Sequence, residues 1–212
     1  MSLYKYLVIS TALLISCGTE NSKNDRKDLA SSQSSAVQTD TTGLQTDPIP
    51  IAAYKETFED KPGFVKAIVR DGTGPTGQIT QQGNYLNGKR EGIWCEFYPN
   101  GFVRVATSYV NGVKEGLSME INGTGQVTKH QFYHNNVRHG EYKEFKYSTL
   151  KEQRTYNNGK LEGIVKIYYD DGKIMEEGAY VNGLRDGLSK WYDQMGNVTI
   201  TYEYKNGELV KK

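Results

Sequence analysis

The sequence lacks any stretch of helical length between Gly83 and Gly207 that is free of turn signals. In this region a glycine or another turn residue recurs every seven to nine residues, which leaves no room for three helical turns. Each glycine inside a helix would also cost about 1 kcal/mol relative to alanine. A helical fold is therefore excluded for this part of the chain, and strands joined by turns are predicted.

Net charge is also nearly absent, and so is a repeating positive stripe. Lysine and arginine number 26 against 25 acidic residues, giving a net charge of +1. In the turns a base precedes an acid, as in Arg90-Glu91, Lys114-Glu115 and Arg185-Asp186, and we interpret these as solvated surface pairs. Because phosphate-binding surfaces need clustered bases, no nucleic-acid partner is predicted.

Motifs that carry catalysis are missing as well. No nucleophile elbow, phosphate-binding loop or pair of catalytic carboxylates stands out from the periodic background. The histidines His130, His134 and His139 fall in one repeat, but without a neighbouring cysteine or a ligand-spacing motif. Asp71-Gly72-Thr73-Gly74 is interpreted as a plain β-turn. We therefore expect no catalytic residue, no metal and no cofactor.

What the sequence does contain is a tandem repeat with a period of about twenty-four residues. Six tyrosines mark the repeats, which are numbered one to six from them: Tyr85, Tyr109, Tyr133, Tyr156, Tyr180 and Tyr204. A glycine follows each tyrosine after three residues, except at Asn136, and again after seven residues in the five complete repeats. A third glycine, sixteen residues after the tyrosine, is missing only at Thr149. Because glycine and asparagine best tolerate a positive φ, two turns per repeat are predicted.

The segments between these turns have the composition of strands. In repeat one, Ile93–Tyr98 runs from the Asn87-Gly88 turn to a second turn at Pro99-Asn100-Gly101, and Phe102 to Tyr109 returns. Each repeat is therefore predicted to be a β-hairpin. The chain is predicted to be all-β, an elongated single sheet of tandem antiparallel hairpins.

These residues resemble the MORN repeats (membrane occupation and recognition nexus). The motif has an aromatic residue, Asn-Gly, a second glycine four residues on and a Tyr-Pro-Asp-Gly-like turn, which Tyr85, Asn87-Gly88, Gly92 and Tyr98-Pro99-Asn100-Gly101 resemble. The similarity is greatest to the bacterial variant branch, which is found in envelope lipoproteins and in proteins labelled as antitoxins. The family is a scaffold, so the resemblance implies a fold and names no reaction.

Residues 1–16 are predicted to be a lipoprotein signal peptide. One positive charge at Lys5 precedes an apolar run of about nine residues, Leu7–Ile15, which is too short to span a bilayer. The following Leu14–Gly18 resembles a bacterial lipobox, which implies cleavage before Cys17 and lipidation of Cys17. An ordinary signal peptide with an incidental cysteine is the alternative. The resemblance implies a protein anchored in the membrane of the bacterial cell envelope, at the outer membrane or facing the periplasm.

The remaining domain boundaries follow from composition. Residues 17–50 are predicted to form a disordered, flexible linker, because they are polar and contain no aromatic residue. Residues 51–82 are predicted to be an N-terminal capping hairpin and residues 83–212 the repeat domain. Cys95 has no disulfide partner once Cys17 is lipidated, and we expect it to be a buried small apolar residue.

Aromatic side chains are predicted on both faces of the sheet. Ile93 and Phe97 share one face by strand parity, and Trp94 and Tyr98 share the other. Because tyrosine and tryptophan are enriched at interaction sites, we assign a candidate binding face to five residues: Trp94, Tyr98, Tyr142, Tyr169 and Trp191. The alternative is that these rings only cover the sheet.

Together these features predict a lipid-anchored, non-enzymatic module that binds or scaffolds an unknown protein partner, with self-association through the sheet edges as one form of contact. Two alternatives stay open. One is an antitoxin-like protein of a toxin-antitoxin or immunity pair, which only the labels on similar sequences suggest. The other is a hydrolase of envelope polymers, for which the histidine cluster is the sole feature.

Overall fold

The computed structural model describes residues 49–50, 53–72 and 76–211. The predicted signal peptide, Cys17 and all of the predicted linker except its last two residues lie outside the described residues. Every regular element in the described part is a β-strand. Within that part no helix is long and apolar enough to cross a membrane.

Fifteen strands make up the described fold. They are β1 (Tyr54–Thr57), β2 (Phe64–Arg70), β3 (Ile79–Leu86), β4 (Lys89–Phe97), β5 (Val103–Val110), β6 (Val113–Ile121), β7 (Val127–His134), β8 (Val137–Lys146), β9 (Thr149–Asn157), β10 (Lys160–Leu161), β11 (Gly163–Tyr168), β12 (Ile174–Val181), β13 (Leu184–Tyr192), β14 (Val198–Lys205) and β15 (Glu208–Lys211).

The strands form one antiparallel sheet in which neighbours in sequence are neighbours in space. The order is β1 to β9 followed by β11 to β15, with β10 paired to β9 alone. The all-β prediction and the single sheet of tandem hairpins are confirmed. The segment 51–82 holds β1, β2 and the first residues of β3, and β1 lies at one edge of the described sheet.

The Asn-Gly turns explain why the chain reverses so regularly. Asn87 and Gly88 have φ values of 51° and 78°, the left-handed conformation that a two-residue hairpin turn requires at both positions. The later turns repeat it, and Asn135-Asn136 adopts it with φ values of 49° and 67°. Asn136 also accepts a hydrogen bond at Oδ1 from the Lys114 N–H, at 2.7 Å, which a glycine could not provide.

Repeat three turns differently at its other end. In repeat one the second turn spans five residues and closes with the Tyr98 N–H donating to the Phe102 carbonyl oxygen at 2.8 Å. In repeat three only Tyr147 and Ser148 form the turn, with φ values of 50° and 66°. Thr149 is therefore the first residue of β9 and does not replace a turn glycine. Four residues lie between the paired Phe145 and Leu150, against five between the paired Phe97 and Val103. This difference of one residue accounts for the single step of twenty-three residues between Tyr133 and Tyr156.

Replacing Tyr147-Ser148 by Asn-Gly is expected to stabilise the protein by about 1 kcal/mol. Left-handed backbone costs roughly 1–2 kcal/mol for most residues, whereas Asn and Gly adopt it readily. Tyr147 is 81% exposed, so little packing is lost. Urea unfolding followed by circular dichroism measures the change. The reverse exchange, Asn87→Tyr with Gly88→Ser, should destabilise by a similar amount, and a stability gain from it would contradict this account.

The two faces of the sheet are filled differently. We call the side that carries the repeat tyrosines the tyrosine face, and the side that carries Ile93, Leu117, Ile164 and Leu188 the aliphatic face. Directly opposite residues share a face. The pairs Trp94–Thr107, Thr107–Ser118, Ser118–Gln131 and Gln131–Tyr142 lie on the tyrosine face, where all five side chains are buried.

The best packed part of the tyrosine face lies at the first repeat. Ala67, Tyr85, Trp94 and Tyr109 form a buried cluster, and Ile49, Ala53 and Val65 pack against it. The register of the β3–β4 hairpin shifts near Gly83, and the Trp94 ring lies directly over that glycine. Ile49 and Ala53, which precede β1, thus cover part of this face.

Candidate interaction faces and the third repeat

The bases of the turns stack on the tyrosines of the following repeat. The Arg90 guanidinium lies 5.2 Å from the Tyr109 ring centre, and the Lys114 ammonium lies 5.3 Å from that of Tyr133. The same contact recurs twice more, between Arg138 and Tyr156 at 5.6 Å and between Arg185 and Tyr204 at 5.5 Å. Such cation–π contacts are worth about 0.5–2 kcal/mol each. The interpretation of these bases as members of solvated surface pairs is therefore wrong.

The acids six residues after a repeat tyrosine have a different role, which is to cap the next Asn turn. Glu91 accepts a hydrogen bond from the Asn111 N–H at 2.8 Å, and Glu115 accepts one from the Asn135 N–H at 2.9 Å. Glu162 and Asp186 do the same for the Asn182 and Asn206 N–H groups, at 3.0 and 3.2 Å. The sequence signal for this cap was present as an acid six residues after a repeat tyrosine and twenty residues before the next Asn-Gly asparagine.

The structure places three of the five predicted binding residues on the tyrosine face. Trp94 and Tyr142 are only 3% and 7% exposed. The half-buried ring of Trp191 lies 5.5 Å from the Arg185 guanidinium and packs edge-on against Tyr202 at 5.4 Å. These rings contact other side chains of the sheet, so Trp94 and Tyr142 leave little surface for a partner.

The other two predicted residues lie at the second turns of their repeats. Tyr98 begins the turn that Gly101 closes, and Tyr169 begins the equivalent turn in repeat four. The Tyr169 hydroxyl donates a hydrogen bond to the Tyr192 carbonyl oxygen at 2.6 Å and so links neighbouring repeats. The five predicted residues therefore do not form one patch: three lie on the tyrosine face and two at the turn margin.

The aliphatic face presents a row of exposed apolar side chains. Ile93 is 60% exposed, Ile164 49% and Leu188 50%, all at the eighth position after a repeat tyrosine. Phe132 adds an exposed ring beside this row, and Glu141 interrupts it in repeat three. Among the described residues no helix and no second sheet covers these side chains. The sequence indicates this face by the apolar residue at the eighth position after a repeat tyrosine. The predicted binding residues were instead the aromatic rings of the opposite face.

Cys95 also lies on the aliphatic face, beside the opposite Ala106. It is half-buried, and burial raises the pKa of its thiol, which disfavours the reactive thiolate. This is less burial than the sequence predicted.

Repeat three carries a shallow cavity of about 660 Å³ on the side of the Asn-Gly turns. Its lining includes Glu115, Phe132, His134, His139 and Glu141. The contacts with His134 and with the Asn135 N–H hold the pKa of the Glu115 carboxyl below its usual range, and those with Lys143 and His130 do so for Glu141. Within the described ranges no three His, Cys, Asp or Glu side chains are arranged to hold a metal ion.

The fold and its faces define a class, that of repeat proteins built from β-hairpins in a single sheet. Within that class, the family model of the MORN repeat variant matches residues 90–111, 161–182 and 185–206. These segments contain two of the base–acid pairs described above, Arg90-Glu91 and Arg185-Asp186, and each segment ends at the asparagine of an Asn-Gly turn. At three places the chain is therefore similar to the MORN repeat variant.

Comparison with solved structures gives a slighter likeness. One match, titled "Crystal structure of GtfA/B complex", is 14% identical with a TM-score of 0.27, and it covers 50% of this chain and 19% of the chain in that structure. No curated protein matches this chain.

Proposed function

We propose that the repeat sheet is a non-enzymatic module that binds or scaffolds another protein, with the aliphatic face as its contact surface. The observation that supports this is the row of exposed apolar side chains at Ile93, Ile164 and Leu188 on a face that no other described element covers. Exposed apolar side chains grouped on one face are typical of interaction sites, and here Glu141 divides the row into two parts. A protein partner is proposed over nucleic acid, because the net charge is only +1 and the turn bases Arg90 and Lys114 lie against tyrosine rings.

The proposal includes attachment to the membrane of a bacterial cell envelope through lipidated Cys17. It is supported by the Leu14–Gly18 lipobox resemblance and the preceding apolar run. Several acyl chains anchor a protein stably where one does not. An antitoxin-like role is the alternative within the same class, because a neutralising protein would also need an exposed contact face. A toxin-like reading frame adjoining this one would favour that alternative.

Three lysines on the aliphatic face are expected to reduce partner capture at least tenfold, since each places a charge at an apolar contact. The variant carries Ile93→Lys, Ile164→Lys and Leu188→Lys. The measurement is a pull-down from detergent-solubilised membranes with the lipidated chain as bait, quantified against this variant. Because the three positions are about half exposed or more, the fold should survive, and circular dichroism checks it.

The matched control has the same number of lysines at second turns, away from the aliphatic face. Phe102→Lys, Tyr147→Lys and Met195→Lys, all at exposed positions, should leave capture unchanged. Equal capture by the wild type and the aliphatic-face variant would contradict the proposed surface. The Cys17→Ala chain serves as the anchor control, and palmitate labelling that persists in it would contradict lipidation at Cys17.

A further inference from the structure

The Asn-Gly pairs of this chain can undergo a reaction that needs no enzyme. When the main-chain nitrogen of the residue after an asparagine attacks the side-chain Cγ, the asparagine loses ammonia and closes a succinimide ring, which water then opens. Glycine favours this attack, because it has no side chain to shield its nitrogen and its backbone rotates freely. The sequence contains seven Asn-Gly pairs, at Asn87, Asn100, Asn111, Asn122, Asn158, Asn182 and Asn206.

Hydrogen bonds of the glycine nitrogens separate these pairs into two groups. In five pairs the glycine N–H donates to a backbone carbonyl oxygen at 2.8 to 2.9 Å, at Gly101, Gly112, Gly159, Gly183 and Gly207. The backbone bonds of the described residues include none from the N–H of Gly88 or Gly123. Because the attacking nitrogen must first leave its hydrogen bond, the reaction is hindered in the first group and not in the second.

The Gly123 nitrogen occupies a position where its turn needs no donor. The turn closes with the Gly125 N–H donating to the Asn122 carbonyl oxygen at 2.9 Å. The equivalent turn of repeat one closes in the same way and holds Pro99 at the position of Gly123. Proline has no N–H, so that turn forms without this donor. Gly123 is also exposed, with no atom within 4 Å of an added Cβ, and its nitrogen is therefore unshielded.

The Asn122 side chain is held by donors at the atom that becomes negative during the attack. Its Oδ1 accepts hydrogen bonds from the Thr124 N–H at 3.0 Å, the Thr124 hydroxyl at 2.7 Å and the Gln126 N–H at 3.0 Å. As a nitrogen attacks Cγ, charge develops on Oδ1, and donors already aimed at such an oxygen lower the barrier. Asn87 lacks this support, since no donor among the described residues bonds its Oδ1.

Repeat five shows that this kind of turn accommodates the product of the reaction. Asp193 stands thirteen residues after its repeat tyrosine, as Asn122 does. Its Oδ1 accepts bonds from the N–H groups two and four residues on, at 2.9 Å each, which is the arrangement found at Asn122. The Asn197 side chain and these N–H groups hold the pKa of the Asp193 carboxyl below its usual range. Donors placed in this way therefore favour a negative oxygen.

We propose that Asn122 is a site of spontaneous deamidation in the folded protein, with Gly123 as the nucleophile and water as the second reactant. The Gly123 nitrogen loses its proton to solvent and bonds to Asn122 Cγ, and the Cγ–Nδ2 bond breaks, so that Nδ2 leaves as ammonia after taking up a proton. Water then adds to one imide carbonyl and breaks its bond to nitrogen, giving aspartate from attack at Cγ and isoaspartate from attack at the main-chain carbon. This inference goes beyond the proposed binding function and does not depend on any partner.

Peptide mapping by mass spectrometry tests the proposal on the purified full-length chain. The chain is kept at pH 7.5 in water labelled with heavy oxygen and digested in ordinary water, so the label marks deamidation that precedes digestion. In the folded chain we expect Asn122 to react about tenfold faster than Asn100, whose glycine must first lose one hydrogen bond. In urea the seven pairs should react at similar rates, because every glycine nitrogen is then free.

Two threonine variants separate the effect of the folded turn from that of the local sequence. Thr124→Val removes the hydroxyl donor and should slow Asn122 about tenfold in the folded chain, the effect of one hydrogen bond, with no change in urea. Thr199→Val is the matched control: it removes an exposed hydroxyl that donates to the Trp191 carbonyl oxygen at 3.1 Å and should leave the Asn122 rate unchanged. Equal rates at Asn122 and Asn100 in the folded chain would overturn the proposal, as would an unchanged Asn122 rate in Thr124→Val.

Discussion

Replacing Gly83 with alanine is expected to destabilise the protein by about 3 kcal/mol, the upper part of the range for overpacked cores. A Cβ at this position would lie 2.0 Å from Trp94 Cε3 and 2.7 Å from Cδ2. The indole cannot move aside easily, because Tyr85 packs edge-on against it at 5.5 Å and the Arg90 guanidinium lies 4.5 Å from its centre. Gly83 does not have a positive φ, so the cost arises from space alone.

Urea unfolding followed by circular dichroism measures this effect, and Gly123→Ala is the matched control. Gly123 has no positive φ and nothing within 4 Å of an added Cβ, so its replacement should change stability by no more than about 0.5 kcal/mol. A double-mutant cycle adds a second check. In a Trp94→Ala background the clash is gone, and Gly83→Ala should cost little. Equal costs for Gly83→Ala and Gly123→Ala would show that the indole does not pack as described.

The fold could be predicted from the sequence because its turns are local. Asn87-Gly88 and its counterparts demand a left-handed backbone that few other residues adopt, so the hairpins follow from those positions alone. The exception shows the limit of this reasoning. Tyr147 and Ser148 adopt the same conformation although they are not an Asn-Gly pair. Because this turn is one residue shorter, Thr149 stands sixteen residues after Tyr133, where the other complete repeats have a glycine.

The character of each face could not be predicted in the same way, because it depends on contacts between repeats. Strand parity correctly placed Trp94 and Tyr142 on one side of the sheet. Because both sides carry aromatic rings, parity does not show on which side the side chains are buried. The stacking of Arg90 on Tyr109 settles this, and it joins residues nineteen positions apart. Adjacent residues such as Arg90 and Glu91 were interpreted as a pair, although the base contacts a ring and the acid caps a turn.

Replacing Arg185 with alanine is expected to destabilise the protein by about 4 kcal/mol, within the range for breaking a buried ion pair. The Arg185 guanidinium contacts Glu176, and the two side chains are 14% and 10% exposed. It also donates a hydrogen bond from Nη1 to the buried Ser189 hydroxyl at 2.9 Å. Three rings surround it, those of Tyr180, Trp191 and Tyr204, at 5.4 to 5.5 Å. Without the arginine, the Glu176 carboxylate stays buried with no cation beside it.

Denaturation followed by tryptophan fluorescence and by circular dichroism reports the loss, since the ring of Trp191, one of the two tryptophans, lies against this arginine. Adding Glu176→Leu to Arg185→Met should recover at least half of the stability, because an apolar pair removes the buried charge. Lys205→Ala is the matched control: Lys205 also pairs with an acid, Asp186 at 3.1 Å, but its side chain is 67% exposed, so little change is expected. If Arg185→Ala costs no more than Lys205→Ala, the buried pair does not hold the fifth repeat together.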